Sequence, residues 1–224
     1  MKTAIIPSQI PSQYDIPSDL PGRKDRPMIV GVVSDIHCNV EGLRAAVAAM
    51  GRIDHLICLG DCIYDFRFSN EVVAQLREYK ADVIMGNHEE GFFGPNGVRA
   101  RQATWIDQDH FEWLGSRPRR LELDLHGRSI LVVHSTPWEP RGDYIYPKHA
   151  KLPLFGEVDA DFVLYGHTHM PVVRRFGRAL VVNPGTAGDP RFGPMMSCAV
   201  LDLEANDARI IEYTLMPEAE NSGA

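Results

Sequence analysis

The chain has 224 residues, of which 44% are hydrophobic and 24% charged, an ordinary balance for one globular domain with a sound core. Its formal net charge of −7 argues against a broad nucleic-acid or anionic-membrane surface. Cys38, Cys58, Cys62 and Cys198 form no CxxC pair, no apolar run reaches the ~18 residues of a membrane helix, and no signal-peptide core follows Met1, so a cytoplasmic protein with reduced thiols is expected.

Residues 1–27 carry Pro7, Pro11, Pro17, Pro21 and Pro27, which exclude a regular helix and suggest an extended arm outside the domain. The domain is expected over residues 28–216, with a short tail at 217–224. Met28-Ile29-Val30-Gly31-Val32-Val33 is a continuous apolar run, the pattern of a strand buried on both faces. Leu43, Ala46, Val47 and Met50 then recur at helical spacing, which predicts an amphipathic helix over 40–50. A strand at 55–59, a helix at 71–79 and a strand at 82–85 follow, an alternation that implies a parallel sheet.

Residues 91–118 show little strand pattern and are expected to form helices or loops over one end of the sheets, and the basic run Arg117-Pro118-Arg119-Arg120 reads as a solvated loop. Segments 121–125 and 129–133 form a predicted hairpin around His126-Gly127-Arg128. Further strands are expected at 162–165, 172–175, 179–182, 198–203 and 209–213. The fold class is therefore α/β with a β-rich second half: a two-sheet β-sandwich flanked by helices.

Polar residues follow five of these strands: Ser34-Asp35-Ile36-His37, Gly60-Asp61, Gly86-Asn87-His88-Glu89, His134-Ser135 and Gly166-His167-Thr168-His169. In open α/β sheets, ligands collect just beyond the carboxyl ends of strands. Taken singly, each fragment could be an ordinary turn, because Asp, Asn and Gly suit strand-to-turn junctions. Together they bring five of the nine histidines, with Asp and Asn, to one end of the sheets. His55, His110, His126 and His149 fall outside the set and read as surface or loop residues.

The strings SDIHCN, LGD, GNHE, VVHS, YGHTHMP and NPGT, in this order over residues 28–185, resemble the calcineurin-like metallophosphoesterase superfamily, and most of all its small prokaryotic phosphodiesterase branch. The superfamily's β-sandwich flanked by helices agrees with the elements above. Its protein phosphatase and dinucleoside tetraphosphatase branches carry an Arg-Gly pair after the GD motif, which "GDCIYDFRF" lacks.

The resemblance implies that Asp35, His37, Asp61 and His169 hold one divalent ion and that Asp61, Asn87, His134 and His167 hold a second, with Asp61 bridging. Imidazole, carboxylate and amide donors without thiolate suit manganese first, with iron, zinc or nickel as alternatives. A hydroxide activated by both ions would attack phosphorus in line, with His88 as general acid. The expected partner is a small phosphate ester, with no membrane insertion, no nucleic acid and the oligomeric state left open. A phosphodiester is the first choice of substrate, and phosphomonoesterase or nucleotidase activity at the same site is the alternative. A nuclease would need a basic track that is not evident here, and a non-catalytic scaffold would have lost ligands.

Other roles are expected around this set. Asn39 caps a helix or touches phosphate, Cys38 and Cys62 are packing residues, and Asp65 and Glu89 either support the histidines or are solvated. Asn183-Pro184-Gly185 shapes a nearby turn. Residues 91–118 are expected to be a mobile, substrate-selecting cover, with Gly91, Gly94 and Gly97 for flexibility, Phe92, Phe93, Trp105 and Trp113 for apolar contact, and Arg99 and Arg101 for a charged group.

Overall fold

A computed structural model of the chain describes the backbone of residues 4–6 and all of residues 26–215. In chain order the elements are β1 (Ala4–Ile6), β2 (Ile29–Val33), α1 (Val40–Met50), β3 (His55–Cys58), α2 (Asn70–Glu78), β4 (Asp82–Val83), α3 (Asn87–Phe93), α4 (Gln108–Gly115), β5 (Arg120–Leu125), β6 (Arg128–Val133), β7 (Phe162–Leu164), β8 (Val172–Phe176), β9 (Ala179–Asn183), β10 (Met196–Asp202) and β11 (Asp207–Leu215). They build two mixed sheets, ordered β1-β11-β10-β2-β3-β4 and β5-β6-β7-β9-β8. Each sheet has a parallel centre, β2-β3-β4 in one and β6-β7-β9 in the other.

The two-residue side-chain period decides what each strand buries. Val30 and Val32 face the other sheet with Ile57, Ile130, Val132, Phe162, Leu164 and Val182, all buried in one cluster. Val33 and Cys58 face outward and are covered by Leu43, Val47, Val72 and Leu76 from α1 and α2. Leu131, Val133, Val163 and Val181 are covered by Ile145 and Phe155 from the long connection after β6. With helices or loops over both outer faces, the central strands are apolar on both sides, which is why they read as continuous runs.

Local chemistry agrees with these boundaries. Asn39 caps α1 by accepting from Gly42 N–H at 2.8 Å, and Ser69 caps α2 by accepting from Val72 N–H at 3.2 Å. The β5–β6 hairpin turns on His126 and Gly127, whose φ values of 53° and 73° give the twist that a two-residue loop needs. β4 is shorter than expected, because Met85 N–H leaves the sheet to bond Pro118 O at 2.7 Å.

The arm expected outside the domain contributes one strand to it. Ala4–Ile6 pairs in parallel with β11, Ala4 opposite Tyr213 and Ile6 opposite Leu215. A proline-free apolar triplet suits a sheet edge, because each residue keeps its N–H for the ladder. The rest of the arm and the tail from residue 216 lie outside the described residues.

The expectation of a mobile cover at 91–118 is also corrected. Phe92 is fully buried and packs against Phe68 and Phe93, with ring centroids 5.6 and 5.3 Å away. Trp113 packs on the same core, and among these aromatics only Trp105 is exposed, at 56%. Gly97 serves close approach rather than flexibility, since a Cβ there would lie 1.9 Å from Phe92 O. Arg101 donates to the carbonyls of Phe92 and Gly94 at the end of α3. Phe92 of α3 and Phe111 and Leu114, one turn apart on α4, point into one core cluster, so the segment is a helical flank of the core. Among the described residues, no helix is long and apolar enough to cross a membrane.

Candidate metal centre

The carboxyl ends of β2, β3 and β4 meet those of β6 and β7 at one edge of the sandwich. Where the β2 and β3 ladders stop, backbone bonds continue between their turns: Asp35 N–H to Gly60 O at 3.1 Å, His37 N–H to Asp61 O at 3.0 Å, and Cys38 N–H to Cys62 O at 2.9 Å. Five of the expected ligands sit in the left-handed region, with φ of 54° at Asp35, 50° at His37, 53° at Asp61, 67° at His167 and 58° at His169. That conformation costs an L-residue about 1–2 kcal/mol. It persists only where the surroundings over-determine it, as at functional sites.

Glu89 supplies much of that constraint. Its side chain is fully buried and accepts four backbone N–H bonds: Asp61 and Gly86 at 2.8 Å on Oε2, and Cys62 at 2.7 Å and Ile63 at 3.0 Å on Oε1. It is therefore neither a partner of the histidines nor a solvated carboxylate, which corrects both expectations. Burial and the Asp61 carboxylate push its pKa up to about 7, against the pull of the N–H donors. Gly86 has no room for a side chain, because a Cβ there would lie 2.2 Å from Asp61 Oδ1.

The second sheet is tied in by Asn183, whose Nδ2 donates to Gly166 O at 2.8 Å and to Thr168 Oγ1 at 3.0 Å. Its turn role is thus direct support of the Gly-His-Thr-His segment. Thr186, which the motif reading did not single out beyond its place in NPGT, donates to Asp35 O at 2.8 Å. His167 N–H donates to Asp35 Oδ2 at 3.0 Å, joining the two sheets through the first expected ligand.

All seven expected ligands come together, in two groups. In the first, His37 Nε2 and His169 Nε2 face each other at 3.1 Å, and Asp35 Oδ1 lies 3.2 Å from His169 Nε2 and 3.8 Å from His37 Nε2. In the second, His134 Nε2 lies 3.2 Å from Asp61 Oδ2 and 3.1 Å from Asn87 Oδ1, and His167 joins Asp61 and His134 with donor atoms within 4.8 Å. Asp61 also clusters with His37 and His88 within that limit, so it lies between the groups.

These distances fit a metal. Donors bound at ~2.0–2.1 Å in a tetrahedral shell are about 3.3 Å apart. Asp189 O lies 2.8 Å from His169 Nδ1 and Leu59 O lies 2.7 Å from His134 Nδ1. Each carbonyl takes an Nδ1–H and leaves the Nε2 lone pair directed into the site. The Nε2 of His169, so directed, faces the Nε2 of His37, a separation that a shared proton or a cation between them would satisfy. Asp35 Oδ1 is buried with no hydrogen bond of its own, as expected of an atom meant for an ion.

Protonation divides the set: His37 and His167 favour the neutral ring, whereas the carboxylates outweigh burial and favour the protonated ring at His134 and His169, from which a metal would displace a proton. Burial lowers His37 and His167 to about 4, favouring the neutral, metal-binding ring. Against the cost of burial, Asp61 raises His134 to about 10, and His134 in turn draws the Asp61 carboxyl below its usual range. Burial raises Cys38 to about 11, so it stays a thiol. All four cysteines are free.

His88 borders both groups. Its Nε2 is 3.8 Å from Asp61 Oδ2, and its Nδ1 is 2.9 Å from Asp65 Oδ1, an ion-pair distance without hydrogen-bond alignment. Its ring stands edge-on to His37 and Tyr64. Asn39 is not available to a phosphate: beyond its cap, its Nδ2 donates to Gly188 O at 3.0 Å. Arg101 is engaged at the end of α3, and Arg99 is exposed away from the groove described next. Beside Asn87, His134 and His167 opens a groove of about 510 Å³ bordered by Arg119, Arg120 and Arg141. The basic run is thus part of this groove's wall, not merely a solvated loop.

The profile of the calcineurin-like phosphoesterase superfamily domain matches residues 28–206. The chain belongs to this superfamily. An uncharacterized protein of Methanocaldococcus jannaschii is 28% identical over 193 residues, covering 74% of this chain and 78% of that protein. A probable metallophosphoesterase of the same organism is 26% identical over 198 residues, covering 86% and 83%. The fold matches the crystal structure of a metallophosphoesterase from Sphaerobacter thermophilus, with a TM-score of 0.71 at 24% identity over 85% of this chain and 90% of that one. As a calcineurin-like phosphoesterase the chain is a phosphoester hydrolase of a divalent-metal-dependent family, and its clustered donors suit that dependence.

Glu89→Gln tests the clamp. An amide can accept on one atom only, so two of the four N–H groups lose their partner, at ~1–3 kcal/mol each. The metal-free variant should be destabilised by roughly 2–6 kcal/mol in urea unfolding. Unchanged stability would show that the turns hold without the carboxylate.

Proposed function

We propose that this calcineurin-like phosphoesterase is a binuclear metal-dependent phosphodiesterase in which Asp61 is shared by two ions. The observation that carries this reading is the pair of donor groups meeting at Asp61, Asp35-His37-His169 on one side and His134-His167 with Asn87 on the other. Two divalent ions there would supply four positive charges against two carboxylates, and would lower the pKa of a water toward ~7. Manganese is the first choice, with iron, zinc or nickel as alternatives, since a nitrogen and oxygen donor set with Cys38 held protonated admits all four.

The chain's own residues complete the chemistry. His88 stands at the border of both donor groups, near Asp61 and Asp65, within reach of a leaving oxygen to which it would donate a proton. Tyr64 stacks on His37 at 4.5 Å between centroids and limits access of bulk water to that ring. The preference for a diester rests on the motif resemblance and on the missing Arg-Gly pair. The four free cysteines accord with a cytoplasmic protein.

Hydrolysis of bis(p-nitrophenyl) phosphate should disappear on exhaustive chelation and return with manganese. Full activity in stripped protein would contradict the reading.

His88→Ala should lose ~10²–10⁴-fold in kcat while both ions remain. The loss should be smaller for nitrophenyl esters, whose leaving groups need little protonation, than for alkyl esters. An inactive variant that has shed metal would instead make His88 a ligand.

A further inference from the structure

The groove beside Asn87, His134 and His167 holds two guanidinium groups in an arrangement that the proposed metal chemistry does not use. Arg119 stands just before β5, Arg141 lies on the connection after β6, and both converge on Glu90 of α3. Arg119 Nε is 2.5 Å and Arg141 Nη1 is 3.4 Å from the same oxygen, Glu90 Oε1. Arg141 Nε also pairs with Glu139 at 3.1 Å. Among the described residues, the two Nη groups of Arg119 and Nη2 of Arg141 have no hydrogen-bond partner. The two side chains are 58% and 47% exposed.

Glu90 and Glu139 together balance the charge of the two arginines, but the three Nη groups without a partner leave fork-shaped donors unsatisfied. Guanidinium donors are matched to phosphate oxygens, which can take two parallel bonds at once. A phosphoryl group held at the donor clusters would extend one of its ester arms into this groove, because Asn87, His134 and His167 form part of its wall.

We infer that the groove binds a second phosphoryl group carried on the ester arm of the substrate, and that Arg119 and Arg141 are the residues that grip it. This inference rests on the reading that the donor clusters hold the reacting phosphate. It replaces Arg99 and Arg101 as the contacts to a charged part of the substrate. Glu90 then acts as a pre-organiser, keeping both side chains extended until the anion arrives.

Calorimetric binding to manganese-loaded protein tests this without turnover, using a short series of alkanediol bisphosphates against the matching alkyl monophosphates. The best bisphosphate should bind at least about 10-fold tighter than its monophosphate, the size of one good charge-assisted contact. Arg119→Ala and Arg141→Ala should each remove most of that advantage. Arg119→Lys, which keeps the charge but not the fork, should remove part of it and covers a folding defect in the alanine variants. Arg52→Ala, an exposed site before β3 at the opposite end of the strand, should keep the advantage whole. Equal affinities in the wild type, an advantage that survives the Arg119→Ala/Arg141→Ala double variant, or an equal loss in Arg52→Ala would each overturn the inference. A bisphosphate preference without any phosphodiester turnover would leave the groove assignment standing and overturn only the catalytic reading.

Discussion

A buried carboxylate bonded to four backbone N–H groups on two different turns is the contact on which the site depends. Glu89 ties the turn after β3, through Asp61, Cys62 and Ile63, to the turn after β4, through Gly86. The turn after β3 is also bonded to the turn after β2, and Asp61 has a left-handed backbone that it would not adopt unaided. A charge this deep is tolerated because all of its bonding capacity toward the turns is met. The consequence is positional: Asp61 is set between two histidine groups, the first of which draws His37 from one sheet and His169 from the other.

The same logic extends outward from Asp61. Its Oδ1 accepts from His88 N–H at 2.9 Å, which leaves Oδ2 toward His134. Asp35 is tied to the second sheet through His167 N–H and Thr186, so the two halves of the sandwich are registered at the ligands themselves. Carbonyls of Leu59 and Asp189 set the ring orientation of His134 and His169. An acidic protein can in this way set donor clusters suited to divalent ions beside a groove that carries arginines of its own.

The fold was legible in the sequence wherever burial imposed a pattern. Val30 and Val32 pack between the sheets while Val33 packs under α1, so β2 had to be apolar throughout, and Leu43, Val47 and Met50 had to recur at helical spacing. The ligands were legible because each follows a strand end, where the chain must turn and where few other reasons exist for so many imidazoles. What escaped were roles set by partners far along the chain. Glu89 looks like a helix-start carboxylate until the turn 28 residues earlier is folded against it. Arg119 and Arg141 approach each other only through Glu90, 29 and 51 residues away, whereas Arg101 turns back on α3. Composition made 91–118 look like a cover, and only the direction of its aromatics, inward onto Phe68, makes it core.

The central claim is that one carboxylate, Asp61, is shared by two metal ions at the meeting point of the two sheets. Anomalous diffraction from crystals of manganese-loaded protein addresses it directly. The account predicts two peaks ~3.5–4 Å apart, one beside Asp35, His37 and His169, the other beside Asn87, His134 and His167, with Asp61 touching both. A single peak at full occupancy in excess manganese, or two peaks of which only one contacts Asp61, would contradict it.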